Sequence, residues 1–388
     1  MIILPIGDLC CICLNWLAIG CNLLIPSGKF TPVKHTLNTL RQQAIASSLF
    51  PPTSLQEAIE RLGFVQADPI RVPARAQDLI LRHRVNNYRV GDLENDYPSL
   101  RLEEDFLYAY GFMPKSTWQL IHPRPESELS AADRRVFDLV ASNPPIHPRQ
   151  VEAYLGRTRE INDWGGYSTG TTRTLQALHY RGLLRVARRD NGIKLYELAI
   201  HQYPSVDPAE RLRQLALLIT TIFSPLSDRS LRTILSHLAR ASPALDGRKS
   251  IVTQLLKSGD LAHTIVDGVR YVWPASAPVD YTPNETVRFL APFDPLVWDR
   301  QRFEHLWGWL YRFEAYTPPA KRQLGYYALP MLWRDEMIGW VNIANSAGNL
   351  AVEPGFKKDV PLEDAFLHEF EAEVERVRLF LQKRPGND

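Results

Sequence analysis

At 388 residues the chain has room for two to four domains of ordinary size. Apolar residues make up 45% and charged residues 23%, which supports packed cores and excludes general disorder. The formal net charge is only +2, so the balance names no partner and charge has to be read locally.

Residues 9–25 carry no charged side chain, and all four cysteines (Cys10, Cys11, Cys13 and Cys21) fall within them. Three readings stay open for residues 1–34. One is a signal peptide or membrane anchor, although a basic leader is missing and the run is short for a span. Another is metal binding by Cys11 and Cys13, for which no His or second Cys pair has suitable spacing. The third is an appendage outside the fold, with the folded protein starting near His35. The cysteine-free remainder needs no disulfide and suits a reducing cytoplasm.

Apolar spacing predicts helices over 37–49 and 55–62. Residues 63–89 then read GFVQADPIRVPARAQDLILRHRVNNYR. Gln66 and Asp68 are one residue apart, so an extended chain turns both side chains the same way. Pro69 favours that extended state at Asp68. A carboxylate beside a carboxamide can hold and polarise one water: Asp68 as base or cation stabiliser, Gln66 as orienter. The plainer reading is a surface turn begun by Asp before Pro. Arg71, Arg75, Arg82, Arg84 and Arg89 follow, opposed before position 90 only by Asp78.

From Ser130 the pattern predicts a capped helix with Val136, Leu139 and Val140 inward, ended by Pro144-Pro145. Helices over 148–155 and 171–181 follow, then Gly182 as a C-cap. Strands over 183–189 and 193–198 flank Asn191-Gly192, a strong hairpin signal. Three helices and a hairpin make a winged helix. The order recurs with helices over 208–223, 228–238 and 249–257, a Gly259 cap, and strands over 261–266 and 269–273 around Asp267-Gly268. "LQALHYRGLL" and "VTQLLKSGDL" align Leu178 and Gly182 with Leu255 and Gly259. The middle unit is basic: Arg173, Arg181, Arg185, Arg188, Arg189 and Lys194 face only Asp190 between positions 171 and 194. Arg173 on the third helix and Arg188, Arg189 and Lys194 around the wing are placed to meet a groove and its phosphates, unless they form a merely solvated face.

Residues 286–343 are rich in aromatics and strand formers and predict a small antiparallel sheet or barrel. Residues 362–381 predict an amphipathic helix with Phe366, Phe370, Val374, Val377 and Leu381 on one stripe and a solvated acidic face. The fold class is therefore α+β: tandem winged-helix domains, then a β-rich, barrel-like domain with a C-terminal amphipathic helix. The expected boundaries are 1–34 outside the fold, 35–127 for a first winged-helix-like domain carrying Gln66-Ala67-Asp68, 128–204 and 205–278 for the second and third winged helices, and 279–388 for the β-rich domain and last helix.

Across residues 36–355 the sequence resembles the YcaQ-like bacterial DNA glycosylases, which include the AlkZ and AlkX types. The resemblance rests on "LGFVQADPIRVPARAQDLILRHRV", "LQALHYRGLLRVARRDNGIKLYEL" and "LAPFDPLVWDRQRFEHLWGWLYRFEAYTPPAKRQLGYYALPML". It implies hydrolysis of N-glycosidic bonds at alkylated or crosslinked purines in double-stranded DNA, without metal or organic cofactor, by a monofunctional monomer. Gln66-Ala67-Asp68 matches the family's Gln-aliphatic-Gln/Asp motif and makes Gln66 and Asp68 the implied catalytic pair. The implied DNA contacts are Arg71, Arg75, Arg82, Arg84, Tyr108, Arg173, Arg188, Arg189, Lys194, Lys321 and Arg322. Glu104-Asp105-Phe106-Leu107-Tyr108 departs from the family's Glu-Tyr-Trp-Ala-His-like segment, placing Tyr108 where a His is usual; a base stack or a phosphate bond is expected of it. The implied location is the cytoplasm, on nucleoid DNA. The alternatives are a non-catalytic winged-helix DNA-binding protein or transcription regulator, against which the lack of a recognisable sensing domain weighs, and a protein-interaction scaffold with no salt-dependent DNA affinity.

Overall fold

The computed structural model describes residues 35–124, 128–156, 159–161, 167–199, 206–277, 281, 285–346, 349–357, 363–382 and 384, without the side chains of 159–161, 167–169 and 346. The readings of residues 1–34 lie outside the described residues. His35–Asp388 forms one compact unit.

The first two helices follow their caps. Leu37–Ser48 opens with a reciprocal Thr36/Thr39 box. Leu55–Leu62 starts where Ser54 accepts the Glu57 N–H and ends where Gly63 takes φ 70°. Leu55, Ala58, Ile59 and Leu62 form its buried face at helical spacing. The strand Val65–Gln66 then joins the edge of a three-stranded antiparallel sheet, with Tyr110–Pro114 central and Leu102–Phe106 beyond it. Nothing in the sequence pattern announces this hairpin. Its first strand carries Glu103, Glu104 and Asp105, residue types depleted in strands, and all three are buried.

Arginines make that burial tolerable. Arg185 Nε lies 3.1 Å from both oxygens of Glu103, and Arg189 Nε donates to Glu104 at 2.9 Å. Asp105 pairs with His122 Nε2 at 2.7 Å and Arg124 Nη2 at 3.0 Å. Arg185 and Arg189 sit on the strand Leu184–Asp190, so this ladder of charges sets the middle hairpin on the first sheet.

The middle segment contains the helices Ala131–Ser142, Pro148–Leu155 and Gly170–Tyr180, then a hairpin of Leu184–Asp190 with Ile193–Leu198. Asn191 at φ 50° and Gly192 at φ 82° supply the left-handed pair that such a two-residue turn requires. A bridge from Ile146 to Tyr196 adds a short third edge. The next segment repeats the order with Pro208–Ile222, Asp228–Ala241, Ile251–Ser258 and the hairpin Leu261–Val266/Val269–Pro274. Here Leu226–Ser227 pairs with Val269–Pro274 as the Ile146 bridge does with its own return strand. Leu178 and Leu255 are both buried, and Gly182 and Gly259 both have positive φ, so the aligned positions play matching parts.

The C-terminal sheet is an open meander rather than the expected barrel. Arg288–Phe289, Leu329–Trp333, Glu336–Ser346 and Asn349–Phe356 pair in sequential antiparallel order, and the outer two do not pair with each other. Closure is unnecessary because the helix Asp364–Leu381 covers the sheet. Phe366, Val377 and Phe380 share a core with Phe289, Leu329, Met331 and Val341. The acidic face of that helix is not wholly solvated, as the sequence suggested. Glu373 is 1% exposed and bonds Arg82 and Arg376. No described helix is long and apolar enough to cross a membrane.

A fully buried ion pair helps lock the first and last segments together. Arg84 Nη1 and Nη2 reach the two oxygens of Asp294 at 2.8 and 3.0 Å, and both side chains are fully buried. The other guanidinium donors meet Ser48 O, Ser48 Oγ and Ile80 O, so every hydrogen bond is satisfied. Asp294 also caps the helix Pro295–Trp298 through the Leu296 N–H at 3.1 Å.

Two predictions follow from these buried charges. Asp294→Ala strands the Arg84 guanidinium and should cost about 3–5 kcal/mol, read as a lower urea midpoint. Burial pushes the Glu103 carboxyl from 4.5 up to about 7 against the pull of Arg185. The folded state therefore keeps this proton longer than the unfolded state, so the contribution of Glu103 to stability declines as pH rises from about 4.5 to about 7. Glu103→Gln should flatten that part of the stability–pH curve.

Candidate active site

Gln66 lies on the edge strand, where Val65 pairs with Phe112 and Gln66 with Gly111. Position 111 admits only glycine, since a Cβ there would stand 2.3 Å from the Val65 carbonyl oxygen and 3.0 Å from Gln66 Cα. Gln66 Oε1 accepts the Trp298 indole N–H at 2.8 Å. An indole nitrogen only donates, so the carboxamide is oriented and its NH2 is left to donate elsewhere.

Sheet-like pairing continues as far as Ala67, whose N–H bonds Tyr110 O at 2.9 Å. The chain then turns. Asp68 Oδ1 accepts the Ile70 N–H at 2.8 Å across Pro69, and the Asp68 N–H points to Gln77 Oε1 at 3.4 Å. The turn across Pro69 fixes one carboxylate oxygen of Asp68. Among the described residues no hydrogen bond reaches Oδ2. Asp68 is half-buried, and burial raises its pKa above the ordinary 3.8 although the Ile70 N–H opposes this.

Aromatic rings continue from this point towards solvent. Tyr327 is buried, its hydroxyl has no hydrogen-bond partner among the described residues, and burial and the nearby Asp68 charge raise its pKa. Phe313 packs edge-on against Tyr327 at 5.2 Å between ring centres and reaches Tyr316 at 6.1 Å. Tyr316 is 82% exposed, which is unusual for so large a ring and leaves a face free for stacking.

The sequence-predicted basic residues separate into groups. Arg71, Arg173, Arg188 and Lys321 are exposed. Arg75 is paired with Glu94, and Arg322 is spent on Thr317 O at 2.8 Å and on the Tyr326 ring. Arg189 and Lys194 turn inward. Arg189 bonds Glu104, while the Lys194 ammonium stands 4.0 Å from Glu104 and 3.7 Å from the centre of the Tyr110 ring. Burial pushes Lys194 down to about 8, with Glu104 opposing and Arg189 adding to the shift. The hairpin tip still lies by the motif segment, because a Cβ at Gly192 would stand 2.7 Å from Arg75 Nη2 and 3.2 Å from Arg71 Nη2.

Three expected DNA contacts are corrected. Arg84 is consumed by Asp294, and Arg82 by Glu373 and Phe289 O. Tyr108 is 8% exposed and enclosed by Phe64, Phe223 and Trp298 at 4.8–5.1 Å, so its ring buttresses Trp298 instead of meeting a base or phosphate. Trp298, Gln77 and Tyr327 were not picked out from the sequence. "DPLVWDR" was the available signal for Trp298, but only the fold shows that its indole faces a residue 232 positions earlier.

The model of the AlkZ-like DNA glycosylase family matches residues 59–380. The chain belongs to this family. Among solved structures it is similar to the DNA glycosylase AlkZ of Streptomyces sahachiroi, with a TM-score of 0.56 and 15% identity over 89% of this chain and 97% of that one. At that identity the likeness is one of fold. The family match spans Gln66, Asp68, Asp294 and Trp298, the residues that build and brace the site.

Trp298→Phe keeps a ring against Tyr108 and Phe223 but removes the donor to Gln66. The expected result is a folded protein, destabilised by about 1 kcal/mol in urea unfolding, whose base excision falls at least about tenfold.

Proposed function

We propose that this protein is a monofunctional DNA glycosylase that hydrolyses the N-glycosidic bond of alkylated or crosslinked purines and so unhooks crosslinks. The observation that carries this reading is a carboxylate held through one oxygen, Asp68 Oδ1, next in sequence but one to an oriented carboxamide, Gln66, in a chain of the AlkZ-like DNA glycosylase family.

In the proposed reaction a water bonded by Gln66 Nε2 attacks the sugar C1′ and passes its proton to Asp68 Oδ2. The base leaves with the glycosidic electron pair, which neutralises the charge of an alkylated purine, so no acid is needed at the leaving group. Asp68 also stabilises the cationic sugar as it develops. The raised pKa of Asp68 makes it a stronger base than an exposed aspartate. A carboxylate and a carboxamide offer no amine nucleophile, which favours water and an abasic product.

The repeated order of three helices and a hairpin supports winged helices at 128–204 and 205–278, with the motif-bearing segment at 35–127 and the open sheet and last helix at 279–388. Arg71, Arg75 and the hairpin tip, with Arg173, Arg188 and Lys321, are the proposed phosphate contacts; Arg189 and Lys194 face Glu104 behind them. Tyr316 is the proposed stacking surface. Double-stranded DNA is the proposed partner, bound by a monomer in the cytoplasm.

The test is release of 7-methylguanine from duplex DNA. Asp68→Asn should lower the rate by at least about a hundredfold with an unchanged thermal midpoint, and Gln66→Ala by at least about tenfold with a loss of stability of about 1 kcal/mol, since it takes the acceptor from the Trp298 indole. The wild-type rate should rise with pH through an apparent pKa above 3.8, because the base must be ionised, and that limb should vanish in Asp68→Asn. Full activity in both variants would sink the assignment, and footprints without base release would favour a non-catalytic DNA-binding protein.

A further inference from the structure

A second concentration of positive charge shares no residue with the motif site. A cleft of about 290 Å³ opens between residues 82–89, the strand Arg288–Phe289 and the end of the helix Asp364–Leu381. Its lining includes Arg82, Arg89, Arg288 and Arg376, and only one carboxylate, Glu373. Both oxygens of Glu373 are spent: Oε1 on Arg82 and the Phe289 N–H, Oε2 on Arg376 Nε at 2.7 Å. Arg376 also approaches Glu369 at 3.7 Å.

What remains is unbalanced. Arg288 is half-buried, yet its guanidinium has no hydrogen bond or ion pair among the described residues. Among the described residues the buried Arg82 Nε has no acceptor. His83, bonded through Nε2 to Phe289 O at 2.9 Å, is held neutral by its burial and by Arg82 and Arg288. Arginine cannot shed its proton to relieve such crowding, as a lysine could. Like charges gathered at a cost, with a donor fork left open on a cleft, are the arrangement expected where an oxyanion completes the balance.

We propose that this cleft binds a phosphate group, held chiefly by the Arg288 guanidinium with Arg89 at the mouth. Phosphate suits the site because its oxygens accept from two arms of a guanidinium at once. The group can come from the DNA backbone or from a free phosphate, and the two sources differ in their consequences. A backbone phosphate would make this cleft a contact separate from the motif site and would add to the salt dependence of DNA binding. A free phosphate would stabilise the junction of the first segment with the last helix without altering DNA affinity.

The experiment uses the full chain and two probes. First, the thermal midpoint is measured in inorganic phosphate and in chloride at matched ionic strength. Wild type should gain about 3–6 °C at saturating phosphate, and Arg288→Gln should gain none while keeping the wild-type midpoint in chloride. Second, affinity for an undamaged duplex is measured against salt; Arg288→Gln should lower the slope by about one if the ligand is the DNA backbone. Loss of the phosphate gain with an unchanged slope assigns a free phosphate, and a reduced slope, with or without that loss, assigns DNA. If Arg288→Gln misfolds, Arg89→Gln is read in the same way. A wild type indifferent to phosphate, with a slope unchanged in the variant, overturns the proposal. Base release by the variant is scored separately, so failure here leaves the Asp68 assignment standing.

Discussion

The site depends on one buried ion pair. Arg84 and Asp294 are 210 positions apart and fully enclosed, and their charges are tolerable only because every donor and acceptor is met. The pair fixes the helix that follows Asp294, because the same carboxylate caps it. That helix carries Trp298, and Trp298 orients Gln66. A chain of four side chains thus runs from a structural salt bridge to the edge of the motif. Each link is directional: a bidentate fork, a capped N–H, an indole donor. Hydrophobic burial alone would hold the two segments together but would leave the Gln66 amide free to flip.

A second set of buried charges does comparable work for the middle hairpin. Glu103 and Glu104 meet Arg185 and Arg189 of that hairpin, while Asp105 is held by Arg124 and His122, so the hairpin cannot slide along the first sheet without mismatching Glu103 or Glu104. This explains why residues that looked like a phosphate-binding wing are partly turned inward. Arg189 and Lys194 serve Glu104, and of the three cations around the wing Arg188 is the one left exposed. The positive field of the hairpin reaches outward, but its carriers are anchored from behind.

Local rules made much of the fold readable. The helices 55–62 and 148–155 were expected with the bounds observed, because their caps and apolar spacing lie within a few residues. The repeat of Leu178 and Gly182 at Leu255 and Gly259 was also visible, since equivalent cores need equivalent spacing. The hairpin from Leu102 to Pro114 was missed because three consecutive acids oppose strand propensity, and their arginine partners lie as many as 85 positions away. The fates of Arg82, Arg84 and Tyr108 were misread for a related reason. Sequence displays a side chain's charge or ring but not its neighbours, and Asp294, Glu373 and the Phe64–Phe223–Trp298 cluster are all remote. Gln66 and Asp68 were identifiable as a pair; their different restraints, an indole and a turn, were not.

The contact of Gly192 with Arg71 and Arg75 makes the hairpin tip a gauge of length. A side chain at position 192 would move the ends of two arginine side chains that begin three positions after Asp68, and would have to adopt a φ of 82°. Loops at hairpin tips ordinarily vary freely in size. This one is measured against the motif segment itself, so drift in its length would be felt where the chemistry is assigned.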